Sequence, residues 1–332
     1  MIADDLPPWF FRVFAFAWGA VWGSFATVVV HRWPRQSVVR PPSHCPHCQK
    51  RVRPYDNVPI LAWLWLRGRC RDCKAPISPR YALIEAMYAV SALALVELLL
   101  RAQDGLTLSV FLALFFVRFA FAWGLLTASF IDLKKLLLPD FITLGGTTLG
   151  FAASAVLPGV GWRSSLLGIG LGAGIPYAFH FVWDRFLKRD GMGLGDVKLL
   201  AMVGALLGPH AVVFALFAGS LQGIVATLIA RVTGWKLAPD IDPADLEDDD
   251  DESLGEKLLA AISRATGWKR ATASDAGEEE LEAAPTTLCA DGPEPLMRTM
   301  IPFGPFLALG AIEYMLGGDR LMLEYLSLLR GP

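Results

Sequence analysis

Charge is scarce in this sequence. Of its 332 residues only 19% are Asp, Glu, Lys or Arg, against 54% hydrophobic, with 11 Trp and 20 Phe. No soluble core of this size uses so many apolar residues, and the apolar runs reach the roughly 20 residues that cross a bilayer. Cysteine is sparse as well: there are five, four of them in two tight pairs, which excludes a secreted disulfide framework. Two catalytic signals are absent. No serine or cysteine sits in an activated, His-paired pattern, and there is no glycine-rich dinucleotide fingerprint of the strand–turn–helix kind. A signal peptide is not indicated, because the first apolar run (9–30) is too long, follows acids rather than bases and lacks a clear cleavage site. It reads as a retained span of an all-α polytopic membrane protein.

The apolar runs predict about eight transmembrane helices, near 9–30, 81–100, 110–131, 141–157, 164–186, 197–207, 211–230 and 300–316. The run at 197–207 rises only about 17 Å against a hydrocarbon core of about 30 Å. Such a helix starts recessed below the surface or is re-entrant. His31, Arg32, Arg35, Arg40, Arg51 and Arg53 crowd the loop after the first span. The positive-inside rule makes that loop cytoplasmic and the N-terminus external. Alternation then brings residues 132–140 and 187–197 to the cytoplasm, in agreement with Lys134, Lys135, Arg185, Lys188 and Arg189. Glu85, Glu97, Arg118, His180 and Asp184 fall inside spans, and structural pairing or snorkelling is expected of them rather than chemistry. Arg12 lies near enough to a span end to snorkel.

Residues 31–80 form a polar module bearing Cys45-Pro-His-Cys48 and Cys70-Arg-Asp-Cys73. This CxxC-x21-CxxC spacing suits a tetrahedral tetrathiolate zinc site, and a loop too small for its own core would take its folding energy from the metal. The competing reading is a redox dithiol, since CxxC also lowers thiol pKa. Two pairs at ribbon spacing in a reducing compartment favour zinc, in a structural role with all four positions filled. His44 and His47 are read as neighbours of the thiolates. Residues 55–68, YDNVPILAWLWLRG, are aromatic and apolar, suited to packing on the module or lying at the membrane surface.

Residues 191–200, GMGLGDVKLL, hold three alternate glycines, then Asp196 and Lys198 at the mouth of an apolar helix. A carboxylate there is costly unless hydrated, paired or used. Alone, it reads equally well as a loop acid favoured by a helix N-terminus. A second acid, Asp132, ends another apolar segment on the same side. Two carboxylates sharing one proton supply both the base and the acid that amide hydrolysis requires. Such a pair titrates as a unit, so neither acid is assigned the base role. Gly193 and Gly195 would admit an extended substrate backbone, Lys198 would orient the loop or a lipid, and Asp140 would cap the following helix.

Residues 235–299 are not membrane-like. Between 236 and 298 there are 17 acids and 6 bases, whereas the rest of the chain has 15 and 24. This self-repelling cytoplasmic insert is expected to be disordered, apart from a helix near 254–268 opened by a capping box at Ser253 and Glu256. Nothing is expected of Cys289. The last span and its tail occupy 300–332, and the membrane core 81–234.

With these pieces in place the chain resembles the bacterial type IV prepilin leader peptidases, bifunctional peptidase/N-methyltransferases among the GxGD aspartic peptidases. The likeness rests on GSFATVVVHRWP (23–34), CPHC (45–48), CRDC (70–73), YDNVPILAWLWLRGRC (55–70) and ISPRYALIE (77–85). Further along are IDLKKLLLPD (131–140), GMGLGDVKLL (191–200) and IPFGPFLALG (301–310). They stand in the family's order and span nearly everything except the insert. Asp132 and Asp196 match the family's two catalytic acids. The resemblance implies an inner-membrane enzyme with its active site facing the cytoplasm. Its substrates would be prepilins and type II secretion pseudopilins, cleaved after a glycine at the cytoplasmic membrane boundary. The new N-terminal residue would then be methylated from S-adenosylmethionine, bound between the metal module and the cytoplasmic span ends. No nucleic-acid partner is implied. Two features depart from the family: Thr27 stands where Asn is usual, and the acidic insert is much longer. The alternatives are a peptidase without methyl transfer, a membrane thiol–disulfide oxidoreductase and a scaffold docking partners through a zinc module.

Overall fold

A computed structural model describes residues 5–102, 105–187, 193–234, 302–318 and 322, which are helical apart from turns, loops and two isolated β-bridges. The elements are α1 (Pro8–Arg32), a short α2 (Leu61–Trp65), α3 (Arg80–Ala102), α4 (Leu108–Lys135), α5 (Asp140–Val156), α6 (Trp162–Leu187), α7 (Leu194–Leu207), α8 (Pro209–Thr233) and α9 (Gly304–Glu313). The acidic insert, with its capping box, its expected helix and Cys289, lies outside the described residues, as do Lys188, Arg189 and Gly191.

Among the described residues five helices, α1, α3, α4, α6 and α8, are long and apolar enough to cross a membrane. The other three expected spans form helices but are shorter. α5 has 17 residues, α7 has 14, and α9 has 10 before a π turn at Tyr314–Gly318. Their limits are set by backbone chemistry. α5 is bracketed by Pro139 and Pro158, and α7 stops at Gly208, whose φ of +84° leads into Pro209. α7 starts three residues earlier than the hydropathy run, so Asp196 belongs to its first turn.

Between apolar helices in lipid the driving force is close packing, because the surrounding chains are as apolar as the side chains. Glycines accordingly mark the tightest crossings. A Cβ on Gly168 of α6 would collide with the Gly204 backbone of α7, and one on Gly172 with Leu200. α1 meets α3 in the same way, with a Cβ on Gly23 standing 2.9 Å from the Glu85 Cα. α7 thus becomes the buried centre of its half, with Leu199 to Ala205 all enclosed. On the other side, Phe11, Phe14 and Trp18 of α1 pack tilted or edge-to-face against Phe111, Phe115 and Phe116 of α4. Outward faces carry Phe217, Leu167 and Val232, the apolar surface a bilayer covers. Arg12 does not snorkel alone; its Nε bonds Glu97 at 2.5 Å, pairing two of the charged residues inside spans.

Candidate functional site

α4 ends one turn past Asp132. Leu136 takes a left-handed conformation (φ +52°) and its N–H bonds the Asp132 carbonyl at 2.9 Å. Pro139 then opens α5, so the chain turns sharply and leaves Asp132 facing inward. Asp196 approaches from α7, where the Gly193 carbonyl accepts from the Asp196 N–H at 3.1 Å. Both acids are buried, Asp132 6% and Asp196 8% exposed. They are close enough for the charge of Asp132 to act on Asp196.

The start of α9 closes the site. The Gly304 N–H donates to the Asp132 carboxylate, and a Cβ on Gly304 would stand 2.6 Å from Asp132 Oδ2. Leu138 packs between this residue and Gly195, whose own Cβ would stand 2.9 Å from Leu138 Cδ1. Gly195 therefore serves close packing under the acids. Gly193 lies on the open side, where the nearest neighbour to an added Cβ is Asp196 Oδ2 at 3.9 Å. Lys198 reaches away from Asp196 and donates to Asp140 at 2.6 Å, tying α7 to the turn that follows Asp132. This corrects the expected role of Asp140: Pro139 holds the cap position of α5, no side chain caps it, and Asp140 is an ion-pair partner. Gly304 escaped the sequence reading because its neighbour Asp132 lies far away in the chain; the Gly-Pro opening of an apolar run was its signal.

The four cysteines come together as a single cluster, with all four Sγ atoms within 4.8 Å of one another. Cys45 and Cys73 Sγ lie 3.7 Å apart, close to the roughly 3.8 Å edge of a tetrahedron with Zn–S near 2.3 Å. The two halves repeat one backbone plan. Cys45 N–H donates to Lys50 and Cys70 N–H to Ala75, and the N–H after each second cysteine returns to the first cysteine's carbonyl, Gln49 to Cys45 and Lys74 to Cys70. Gln49 and Lys74 both have positive φ. The backbone N–H groups of Cys48 and His47 pull the Cys45 thiol down to about 6. Against the pull of the Ala75 N–H, burial and the sulfurs of Cys70, Cys48 and Cys45 push Cys73 up to about 11. Without a cation the cluster thus favours one thiolate and resists further ionisation. These residues fit a tetrathiolate metal, and His44 and His47 stand outside the cluster.

Among the described residues, none of the buried hydrophobic side chains falls within 31–80, so no apolar core surrounds the cluster. Arg71 grips Asp56 through Nε and Nη2 at 2.6–3.0 Å, holding that carboxyl below the usual range. Trp63 packs on Gly68 and donates to the Ile77 carbonyl at 3.1 Å. A cavity of about 810 Å³ separates the module from the ends of α1 and α3; its lining includes Thr27, Asp72, Trp63, Tyr81 and Glu85. Thr27 hydrogen-bonds the Ser24 carbonyl at 2.7 Å. Glu85, 9% exposed, accepts the Ile60 N–H at 2.6 Å and so fastens the module to α3.

The chain matches the bacterial peptidase A24 N-terminal domain over residues 17–98 and the type IV leader peptidase family over 119–228. A prepilin leader peptidase/N-methyltransferase of Myxococcus xanthus is 33% identical, with the alignment covering 97% of this chain and 95% of the relative. One of Aeromonas hydrophila is 34% identical over 65% of this chain and 80% of its own length. The type 4 prepilin-like proteins leader peptide-processing enzyme of Escherichia coli is 34% identical over 66% and 85%. No solved structure matches the chain. The first family match covers the four-thiol module and the second both buried acids. With a relative alignable almost end to end, the chain belongs to the type IV leader peptidase family.

Proposed function

We propose that this chain is a membrane aspartic endopeptidase that removes the basic leader of type IV prepilins and type II secretion pseudopilins, with Asp132 and Asp196 as its reacting pair. One observation carries this reading: two buried carboxylates from distant segments lie within electrostatic reach of one another at apolar helix ends, beside an open glycine. Like charges so placed favour a shared proton. The ionised carboxylate takes a proton from water as the water attacks the scissile carbonyl. The protonated one gives its proton to the carbonyl oxygen, forming a tetrahedral gem-diol. As the C–N bond breaks, the carboxyl that took the proton from water delivers it to the leaving amine, and a gem-diol hydroxyl returns a proton to the other carboxylate as the new carboxyl group forms. The Gly304 N–H orients Asp132, and the Lys198–Asp140 pair holds the two acid-bearing segments in register. Gly193 leaves room for an extended backbone to reach Asp196.

The five long helices, together with α5, α7 and α9, make about eight spans in the bacterial inner membrane, with the N-terminus outside. A basic leader remains in the cytoplasm with the module while its apolar helix lies among the spans. The module is a separate unit at 31–80 with structural zinc on Cys45, Cys48, Cys70 and Cys73. One cluster of four thiols supports a metal over two independent dithiols. The acidic insert is cytoplasmic and dispensable for cleavage.

The same chain N-methylates the new amino terminus in the cavity between the module and α1 and α3. Its volume lies within the roughly 300–1,000 Å³ of small-molecule sites. Asp72 and Glu85 offer acceptors for the hydroxyl and cationic groups of S-adenosylmethionine, and Trp63 and Tyr81 offer flat faces. When bound, that donor would supply an electrophilic methyl group. Thr27, with its hydroxyl turned to the Ser24 carbonyl, favours a second reading in which the chain cleaves without methylating.

The test is incubation of purified protein with a prepilin, with and without S-adenosylmethionine, and mass spectrometry of the product's N-terminus. The expected product lacks its leader and gains one methyl group when the donor is present. A cleaved product with a free amine in both reactions selects the peptidase-only reading. An uncleaved prepilin overturns the proposal.

A further inference from the structure

Helix α2 presents its faces in an unusual way for part of a polar module. Ala62, Trp63 and Leu66 turn inward, with Trp63 held by the Ile77 carbonyl and by Gly68. Leu61, Leu64 and Trp65 fall at i, i+3 and i+4, a single helical face, and are 64%, 58% and 83% exposed. In water three large apolar side chains on so short a helix would be a liability. Exposed arginines follow immediately, Arg67 and Arg69. Residues 31–80 hold 11 Lys and Arg against 2 acids, and both acids are engaged, Asp56 by Arg71 and Asp72 by Lys50 and Arg53.

The place of this face is fixed by Glu85. That side chain stands five residues into the apolar helix α3 and grips the N–H of Ile60, the residue just before α2. Ile60 has φ +62°, so the chain turns sharply there to start α2 beside the end of α3. The neighbouring α3 residues Tyr81 and Leu83 are themselves exposed. The outer face of α2 is therefore held at the level where a membrane-crossing helix meets its headgroup layer. Tryptophan prefers that layer, and basic residues beside it match anionic headgroups.

From this placement we infer that α2 is an interfacial anchor: Leu61, Leu64 and Trp65 insert into the bilayer surface on the module's side, with Arg67 and Arg69 among the headgroups. The four-thiol module is thus held down on the membrane at two points, by Glu85 from within the bundle and by α2 through lipid. The cavity between module and bundle keeps its shape only while both hold. This inference does not depend on the roles given to Asp132 and Asp196.

A diazirine amino acid placed at Trp65 in the full-length chain, reconstituted in nanodiscs containing phosphatidylglycerol, tests it. The same probe at Phe217, on the outer face of α8, is the lipid-facing reference, and at His47, in the first CxxC turn, the water-facing one. After illumination, lipid adducts from position 65 should approach those from 217 and exceed those from 47 by about tenfold. Trp65 is so exposed that the replacement leaves the module's packing intact, which unchanged metal content would verify. Water-quenched product at position 65, in the same proportion as at 47, would overturn the inference. So would adducts to an added prepilin in place of lipid, which would make the face a substrate-docking surface.

Discussion

The helical bundle and the four-thiol module are held together by opposite means. In the bundle, glycines let backbones touch, and a single Cβ at Gly168 or Gly204 would meet main chain. In the module no side chain among the described residues is fully buried, and order comes from four sulfurs, one bidentate ion pair and paired turns. The bundle should therefore tolerate loss of a polar contact but not of space, whereas the module, if it holds the proposed metal, should tolerate bulk but not loss of a thiol. The bundle also builds its site from segments far apart in sequence, while the module builds its own from two adjacent loops.

The sharpest break in that comparison is metal removal. Structural zinc contributes about 10 kcal/mol or more to small tetrathiolate modules, so chelation, or Cys70→Ser, should unfold residues 31–80. Hydrogen exchange should show loss of protection there with α4 to α8 unchanged. Methyl transfer should vanish while cleavage falls less. Protection persisting in metal-free protein would mean that the module has another source of order.

In the bundle the comparable insult is steric. Gly304→Val crowds Asp132 Oδ2 and displaces it. A misplacement of this order costs about 10²-fold in rate, with metal content and module protection intact. Wild-type cleavage in that variant would show that α9 does not position Asp132. Next comes the Lys198–Asp140 pair, a third exposed on each side and so partly screened. Lys198→Met should slow cleavage about tenfold by loosening the register between α7 and the turn after Asp132. Exchanging the two, Lys198→Asp with Asp140→Lys, should restore part of it, which a merely local effect of Lys198 would not allow.

The smallest effect belongs to Asp56 and Arg71. Pairing lowers the folded-state pKa of Asp56, so its contribution is complete above the ordinary carboxylate range and is lost as pH falls through the lowered value. The melting difference between wild type and Asp56→Asn should be constant near neutrality and shrink in acid below that range. A difference growing with acidity would reverse the assigned sign.

These differences also explain what the sequence made readable. Cys45, Cys48, Cys70 and Cys73 announce themselves because metal spacing is local, and the module's architecture followed from it. Hydropathy made five of the eight expected spans legible as helices long and apolar enough to cross, whereas α5, α7 and α9 form shorter helices because proline and glycine set their ends. Asp132 and Asp196 could be singled out as acids at apolar helix ends, yet their meeting depends on how α4 and α7 are arranged in space. Gly304 and the Asp140 pairing stayed hidden for that reason. A hydrogen bond across such a sequence separation leaves no periodic trace, and Asp140 looks like a cap until Pro139 is seen to hold that position.

The two buried acids are the centre of the proposed mechanism, and single-turnover cleavage of a purified prepilin by Asp132→Asn and Asp196→Asn measures their role most directly. Asparagine keeps the size and can still accept from the Gly304 N–H, but it neither ionises nor shares a proton. Each variant should lose cleavage by about 10³-fold or more, while metal content, membrane insertion and the module's protection match wild type. Cleavage within tenfold of wild type in either variant would contradict the proposed dyad.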